Sequence, residues 1–269
     1  MTQHIFFPER FKNPSRYYTT GRPVYPKQLS KRVAERVKLS RTDHVLDLGT
    51  GPGFLAIDFA PLAGKVTAVD PEDAMLDVAR QNVARERVTV EVVKGSSFEL
   101  PALGKLKLVT IGRAFHWMDG DQTLATLDKL LESHGAVALF GDRFPEIAEN
   151  AWRKDFQDLI DSYSTEDPAK VRTRGAEPHE SVFLRSAFSH VERIAVLERR
   201  RTPVERFVDR ALSFGAAWDG RPGSREDDLA GEVRKLIARF ADSDGTVTEV
   251  IEGQALLGFR PVAVDSVAS

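Results

Sequence analysis

The most informative chemical pattern of the sequence is one aspartate followed by alternating glycines. Its members are Asp47, Gly49, Gly51 and Gly53. The stretch Val45–Gly53 has the composition of a buried strand that runs into a tight turn, and glycines let such a turn approach a ligand closely because they lack a Cβ. The helical pattern of Phe54–Ala60 then directs unpaired N–H groups and a positive dipole end to the same place. The sequence therefore predicts a nucleotide pocket at the carboxyl end of a parallel sheet.

Two features indicate which nucleotide this pocket takes. Phe54 stands where a dinucleotide fingerprint has its third glycine, and Pro52 has no N–H to offer a pyrophosphate. Asp47 adds a negative charge, and Asp70 ends the next predicted strand, where its carboxylate can accept hydrogen bonds from both ribose hydroxyls. A cationic nucleoside without phosphates fits these residues, and S-adenosyl-L-methionine is the common one. An ordinary glycine-rich turn and a degenerate NAD-binding loop are the alternatives.

The stretch Val45–Gly53 resembles the first motif of the class I S-adenosylmethionine-dependent methyltransferases. Upstream, Tyr18–Pro26 is similar to the arginine- and proline-containing leader of the small-molecule group that includes the trans-aconitate methyltransferases. The resemblance implies that Tyr18 and Arg22 belong to a lid over the methionine part of the cofactor, where Arg22 pairs with the methionine carboxylate. A leader that only packs on the edge of the sheet is the alternative.

The adenine end of the cofactor is expected after the second and third predicted strands. Relatives often place an aspartate against the adenine amino group, and here Ser96 stands at that position, so Ser97 or Phe98 is expected to hydrogen-bond or stack instead. Met75 either covers the adenine face or belongs to the core. The complete set of expected cofactor-binding residues is Tyr18, Arg22, Asp47, Gly49, Thr50, Gly51, Gly53, Asp70, Pro71, Met75, Ser96, Ser97, Phe98 and Arg113.

A histidine and a tryptophan follow the fourth predicted strand and resemble the His-Trp pair of the same small-molecule group. A neutral imidazole at His116 could take a proton from an incoming hydroxyl or amine, because its pKa lies near neutral pH. Trp117 would then line the path along which the methyl group moves, or stack on the substrate. Alternatively, His116 forms a hydrogen bond with the backbone, and Trp117 packs between a helix and the sheet. Arg113, with Arg22, is the candidate clamp for a carboxylate acceptor, which needs no deprotonation.

These residues require strands that end side by side at one edge of a sheet. Strand and helix patterns alternate up to residue 141, which predicts right-handed βαβ units. The expected fold is α/β: a Rossmann-like, seven-stranded, mostly parallel sheet with helices on both faces. Specific expectations are strands at Val88–Val93, Ala136–Phe140 and His190–Leu197 and helices at Asp121–Glu132 and Val204–Trp218.

The chain is expected to form a single domain over residues 1–269. Within it, residues 1–27 form an N-terminal lid arm and residues 28–141 form the cofactor-binding half. Residues 142–188 are an inserted helical cap, because the alternation of strands and helices stops after Gly141. Residues 189–260 supply the remainder of the sheet and its helices.

The composition limits the class of protein. The formal net charge of −2 provides no global field that would draw the chain to nucleic acid or to a membrane. The absence of cysteine excludes disulfides, thiolate metal sites and the iron–sulfur branch of S-adenosylmethionine chemistry, and the histidines show no metal-ligand spacing. No apolar run is long enough for a signal peptide or a bilayer span, so a cytoplasmic location is expected.

The expected function is S-adenosylmethionine-dependent methyl transfer to a small metabolite by in-line displacement. Such a displacement chiefly needs the nucleophile, the methyl group and the sulfur held collinear and dry. From the group that this chain resembles, carboxylate O-methylation is the first reaction to be expected. The alternatives are N- or hydroxyl O-methylation with His116 as base, a non-catalytic S-adenosylmethionine-binding protein, and an NAD-dependent oxidoreductase. A homodimer is also left open.

Overall fold

The computed structural model describes residues 15–164, 177–214 and 225–261. The strands are β1 (His44–Leu48), β2 (Lys65–Asp70), β3 (Glu91–Lys94), β4 (Leu106–Gly112), β5 (Leu131–Arg143), β6 (His190–Pro203) and β7 (Thr246–Phe259). They form one sheet in the order β3-β2-β1-β4-β5-β7-β6. Strands β1 to β5 pair in parallel, whereas β7 is antiparallel to both β5 and β6. The expectation of a Rossmann-like, mostly parallel seven-stranded sheet is therefore confirmed.

Helices cover both faces of the sheet. The α-helices are α1 (Ser15–Gly21), α2 (Lys27–Arg36), α3 (Phe54–Phe59), α4 (Asp73–Glu86), α5 (Gly120–Leu130), α6 (Trp152–Tyr163), α7 (His179–Leu184), α8 (Val204–Leu212) and α9 (Glu226–Ala238). On one face, Leu29 of α2 and Phe59 of α3 are fully buried with Val45 of β1. On the other face, Leu124 of α5 and Phe183 of α7 pack with the alternate strand residues, whose side chains point to that side. Burial on both faces explains why the central strands are nearly continuous apolar runs.

A third core cluster lies in a layer of helices apart from the sheet faces. Trp152 of α6, Phe207 of α8 and Val233 of α9 are buried together in it. The sequence predicts a cap formed by residues 142–188 alone. The structure instead builds this layer from two segments, one between β5 and β6 and one between β6 and β7. The apolar faces of α8 and α9 contact α6, so the second segment belongs to the same layer.

Several element boundaries differ from the expected ones. Strand β3 begins at Glu91, where its pairing with β2 begins, rather than at residue 88. Strand β5 begins at Leu131, which pairs with Leu106, so α5 ends earlier than expected. Strand β6 continues to Pro203 because β7 offers a partner over its whole length. Helix α8 ends at Leu212, before the expected end at residue 218, and residues 215–218 lie outside the described ranges.

The described part of the expected lid arm is a short helix docked on α8. A Cβ on Gly21 would lie 2.4 Å from the backbone of Asp209, so only glycine allows this close approach. Arg206 Nη1 donates a hydrogen bond to the carbonyl oxygen of Thr20 at 2.9 Å. Residues 1–14 lie outside the described residues.

Within the described ranges, no helix has the length and apolar character needed to cross a bilayer. The same part of the chain contains no group of three or more His, Cys, Asp and Glu side chains that could hold a metal ion.

Candidate cofactor and acceptor sites

The glycine turn after β1 adopts a backbone conformation that other residues rarely take. Gly49, Gly51 and Gly53 have φ angles of 69°, 53° and 84°. A Cβ on Gly49 would also lie 2.7 Å from the Cβ of Ala114, whereas a Cβ on Gly51 would meet nothing within 4 Å. The amides of Gly49 and Thr50 donate to the carbonyl oxygen of Val69 at 2.8 and 3.0 Å. The turn is thus fixed against the end of β2.

Asp47 is enclosed beneath this turn. It is 1% exposed, and its carboxylate accepts hydrogen bonds from Thr50 Oγ1 at 2.5 Å, Thr110 Oγ1 at 2.8 Å and the Ala56 amide at 3.1 Å. Burial raises the pKa of Asp47 to about 6, against the opposing effect of these hydrogen bonds. These bonds direct its carboxylate into the turn, and contact between Asp47 and a cationic ligand stays a prediction. Its structural role is to hold the loop.

Asp70 forms part of the wall of a cavity above the glycine turn. Its Oδ2 accepts from the Gly51 amide at 2.8 Å and its Oδ1 accepts from the Glu72 amide at 3.0 Å. The residue is 7% exposed and borders the cavity. Burial raises the pKa of its carboxyl above the ordinary value. Each oxygen keeps a lone pair, so the carboxylate is oriented in advance to accept further hydrogen bonds from a ligand.

The cavity at the carboxyl ends of β1, β2 and β4 has a volume of about 290 Å³. Most of the expected cofactor residues meet there. They are Gly49, Gly51, Asp70, Pro71, Met75, Ser96, Ser97, Phe98 and Arg113, joined by Trp117. Asp47 and Thr50 border an adjoining space of about 30 Å³. Gly53 caps α3 in the left-handed conformation. We refer to the 290 Å³ space as the cofactor cavity.

Residues 96–98 form a tight turn on the rim of the cofactor cavity. Ser96 Oγ accepts hydrogen bonds from the amides of Phe98 and Glu99 at 3.2 and 3.1 Å, so this hydroxyl is used within the turn. Phe98 is 57% exposed beside the cavity, which leaves its ring available for a planar ligand. Ser97 and Met75 are buried at the cavity wall.

Arg22 lies elsewhere than expected. Its guanidinium carbon is 4.0 Å from the centroid of the Phe214 ring, and the residue borders a second, larger cavity rather than the cofactor cavity. Because α1 packs on α8, Arg22, which directly follows α1, lies beside the helical layer. Tyr18 belongs to α1, and its side chain lies outside what the structure describes.

Arg113 separates the two cavities and borders both. Its φ is 55°, an uncommon conformation for a non-glycine residue. Its Nη1 donates to Asp142 Oδ1 at 2.9 Å and to the carbonyl oxygen of Pro23 at 3.1 Å, and its guanidinium lies 4.6 Å from the ring centroid of Tyr25. The predicted carboxylate clamp is therefore already paired with a carboxylate of the protein.

The second cavity has a volume of about 550 Å³ and lies between the sheet end and the helical layer. We call it the acceptor cavity. His116 borders it, while the adjacent Trp117 borders the cofactor cavity. The rings of His116 and Trp117 are 4.8 Å apart at an interplanar angle of 45°. The two residues of the expected pair thus stand on different sides of the junction between the cavities.

Several residues of the acceptor cavity were not selected from the sequence. They include Asp142, Phe144, Trp152, Arg153, His179 and Gln254. They come from β5, α6, α7, β7 and the loop after β5, which are far apart along the chain. No local motif connects them, and His179 in particular reads as one of several scattered histidines. Only the placement of the helical layer over the sheet brings them together.

Comparison with known proteins agrees with this geometry. The family model described as "Methyltransferase domain" matches residues 45–135. An uncharacterised methyltransferase of Schizosaccharomyces pombe is 30% identical over 131 residues, which is 48% of this chain and 51% of that protein. An uncharacterised methyltransferase of Mycobacterium tuberculosis is 28% identical over 166 residues, 61% of this chain and 63% of that protein. The chain therefore spans less than two thirds of the length of these relatives.

Solved structures show the same fold at low sequence identity. A methyltransferase from Geobacter sulfurreducens, in complex with S-adenosyl-L-homocysteine, superposes with a TM-score of 0.54 at 14% identity, covering 94% of this chain and 99% of its own. One from Thiobacillus denitrificans, in complex with the same molecule, gives 0.52 at 14% identity, covering 95% and 100%. Residues 45–135 thus match a methyltransferase domain, and the chain shares the fold of these solved structures.

Proposed function

We propose that this chain is an S-adenosylmethionine-dependent methyltransferase that acts on a small molecule. The observation that carries the proposal is the meeting of two cavities at Arg113 and Ala114, which border both. One has the glycine turn and a preoriented carboxylate, and the other has aromatic, cationic and imidazole side chains. A donor and an acceptor held in them would meet at this junction.

The cofactor cavity suits the adenosine part of S-adenosylmethionine. Asp70 would accept the ribose hydroxyls, because its two oxygens are fixed by backbone amides at 2.8 and 3.0 Å. The exposed ring of Phe98 would stack on the adenine, and Met75 would border the adenine from the wall. When bound, the cofactor supplies a methyl group already activated on a sulfonium. The protein therefore needs chiefly to align the acceptor and exclude water.

The cationic lining of the acceptor cavity supports an anionic acceptor. Six arginines border it, and four of them form ion pairs: Arg113 with Asp142, Arg143 with Glu252, Arg193 with Glu180 and Arg210 with Glu249. Carboxylate O-methylation, which the resemblance to the trans-aconitate group names first, fits this charge. The pairing of Arg113 with Asp142 weakens the case for Arg113 as the clamp, since a substrate carboxylate would have to compete for it. Arg22 and Arg153 also border the cavity, and Arg153 forms no ion pair with an acidic side chain of the described ranges.

Methylation of a hydroxyl or an amine is the second candidate. It is favoured by the position of His116, which borders the acceptor cavity next to the junction. A neutral imidazole there could remove a proton as the methyl group is transferred, an effect on the order of 10²-fold or more in rate. A small-molecule acceptor without nucleic acid, a cytoplasmic location and a homodimer stay predictions of the sequence.

Calorimetry and a transfer assay together test the proposal. The protein is titrated with S-adenosyl-L-homocysteine and, separately, with NAD. It is then incubated with S-adenosylmethionine and a panel of small carboxylates, phenols and amines. We expect binding of the homocysteine compound, no binding of NAD, and release of S-adenosyl-L-homocysteine with at least one acceptor. Binding without any transfer would support a silent cofactor-binding protein instead, and preferential binding of NAD would refute the proposal.

A further inference from the structure

The acceptor cavity contains a second imidazole, at His179. This residue begins α7, directly after Pro178, and borders the cavity. Its ring packs edge to face on Phe115, with ring centroids 5.2 Å apart and planes at 86°. Phe115 follows Ala114, which borders both cavities. Through one ring contact, His179 is thus placed beside the junction where donor and acceptor would meet.

The ring nitrogens of His179 are available to a ligand. The ring is half-buried, and neither nitrogen makes a hydrogen bond to any residue in the described ranges. Burial lowers the pKa of His179, and the nearby Glu180 has the smaller, opposite effect. The imidazole is therefore neutral at pH 7 and can accept a proton.

The charged groups around α7 are largely paired with one another. Glu180 forms an ion pair with Arg193 of β6, and Arg185 forms ion pairs with Asp121 of α5 and with Glu177. The remaining titratable group next to Phe115 is His116. Because Glu180 is engaged by Arg193, it does little to hold a positive charge on the imidazole of His179. Burial therefore remains the main reason why the pKa of His179 is lowered.

His116 and His179 have different surroundings. The ring of His116 packs on Trp117, which is a wall of the cofactor cavity. The ring of His179 packs on Phe115, and both histidines border the acceptor cavity. His116 is thus tied through its ring contact to a wall of the cofactor cavity. The arrangement of His179 suits a residue that contacts the acceptor.

We propose that His179 accepts a proton from a hydroxyl or amine of the acceptor, which is thus a small protic anion methylated at that group. The proposal rests on the proposed function in its second form, methylation of a hydroxyl or an amine, and a carboxylate of the acceptor then serves for binding rather than as the methylated group. As the bond from the acceptor oxygen or nitrogen to the methyl carbon forms, the methyl–sulfur bond breaks and its electron pair stays on sulfur. The proton released by the acceptor moves to a ring nitrogen of His179. The imidazolium then loses it to solvent.

Three matched probes test this assignment with the full chain and S-adenosylmethionine. They are 4-hydroxybenzoate, 4-aminobenzoate and benzoate, which share a carboxylate and differ in the protic group. The variants are His179→Gln and the control His134→Gln, since His134 is exposed at the beginning of β5. Mass spectrometry locates the methyl group, and calorimetry measures the affinity for S-adenosyl-L-homocysteine in each variant.

We expect methylation at the hydroxyl or the amine, and no product from benzoate. For His179→Gln we expect kcat to fall about 10²-fold, with the affinity for S-adenosyl-L-homocysteine unchanged. Protonation of His179 in acid removes the proton acceptor, so kcat of the wild-type protein should fall below pH 6.5. This acidic limb should disappear in His179→Gln, which a merely structural role would not cause. His134→Gln should match the wild type in all three measurements.

Three outcomes would overturn the assignment of His179. They are methyl transfer to the carboxylate of benzoate, a His179→Gln variant that keeps the kcat and pH profile of the wild type, and the absence of transfer to all three probes. The proposed function fails in a different way. A wild-type protein that binds neither S-adenosylmethionine nor S-adenosyl-L-homocysteine would refute it, whatever the behaviour of the variant.

Discussion

The cofactor cavity and the acceptor cavity share Arg113 but are built in different ways. The cofactor cavity is bounded by turns that follow β1, β2, β3 and β4, so its walls come from one continuous stretch, residues 48–118. The acceptor cavity is bounded by side chains from both halves of the helical layer and from the sheet. Backbone conformation shapes the first cavity, and packing between distant elements shapes the second.

Because of this difference, we expect the two cavities to tolerate different substitutions. In the cofactor cavity, a single added methyl group can disturb a turn whose amides hold Val69 and Asp70. In the acceptor cavity, a side chain can change without disturbing a hydrogen bond between two backbone groups. Substitutions should therefore affect folding and cofactor affinity most in the first cavity, and acceptor preference in the second.

Gly49→Ala should have the largest effect. The new Cβ would stand 2.7 Å from that of Ala114 at a φ of 69°, and overpacking with left-handed strain costs about 3 kcal/mol in total. Urea unfolding of the ligand-free protein measures the loss. Gly51→Ala is the matched control, because it has the strain without the clash, and we expect about 1 kcal/mol from it. Equal losses in the two variants would show that the contact with Ala114 is unimportant.

Asp70→Ala should come next, through binding rather than folding. Loss of the carboxylate leaves buried polar partners unpaired, which costs about 1–3 kcal/mol of affinity for S-adenosyl-L-homocysteine. Calorimetry measures this directly. Asp73→Ala serves as the control, because the side chain of Asp73 is 74% exposed and pairs with Lys94. An affinity unchanged in Asp70→Ala would rule out the ribose role.

Asp47→Asn should alter the pH dependence of stability. The folded-state pKa of about 6 lies above the ordinary 3.8, so the contribution of Asp47 is fully present below pH 3.8 and is lost as pH rises through 6. Between pH 7 and pH 5 the wild type should gain about 1 kcal/mol from this group. The variant should lack this gain in urea unfolding at the two pH values. Asp58, whose pKa burial also raises to about 6, contributes equally to both proteins.

Arg153→Gln should have the smallest effect, confined to the acceptor. Arg153 is exposed at the cavity rim, donates to the carbonyl oxygen of Phe144 at 3.2 Å, and pairs with no acidic side chain in the described ranges. An exposed charge contributes below about 1 kcal/mol, so KM for 4-hydroxybenzoate should rise up to about 5-fold. Lys154→Gln, at an 83% exposed neighbour, should leave KM unchanged. A similar rise in both variants would indicate a general charge effect.

The cofactor half was predictable from sequence because its signals are local. The glycine spacing, the acid at the end of β2 and the strand–helix alternation each need only a short window. The hydrogen bonds of Asp47 could not be predicted, because sequence gives a residue type but not the direction of its side chain, which Thr50 and Thr110 determine here. His179 was missed because it reaches the cavity only through the packing of α7 against α5 and β6. The second half of the helical layer was missed for the same reason.

The two-segment helical layer has a consequence for exchanging specificity between related proteins. Trp152 of α6 has Phe207 of α8 as an immediate ring neighbour, at 4.8 Å, although β6 separates the two helices in sequence. A graft that moves only the segment between β5 and β6 would bring one side of this contact without its counterpart. We therefore expect that acceptor preference can be transferred only when both segments are exchanged together. The glycine turn can remain that of the recipient protein.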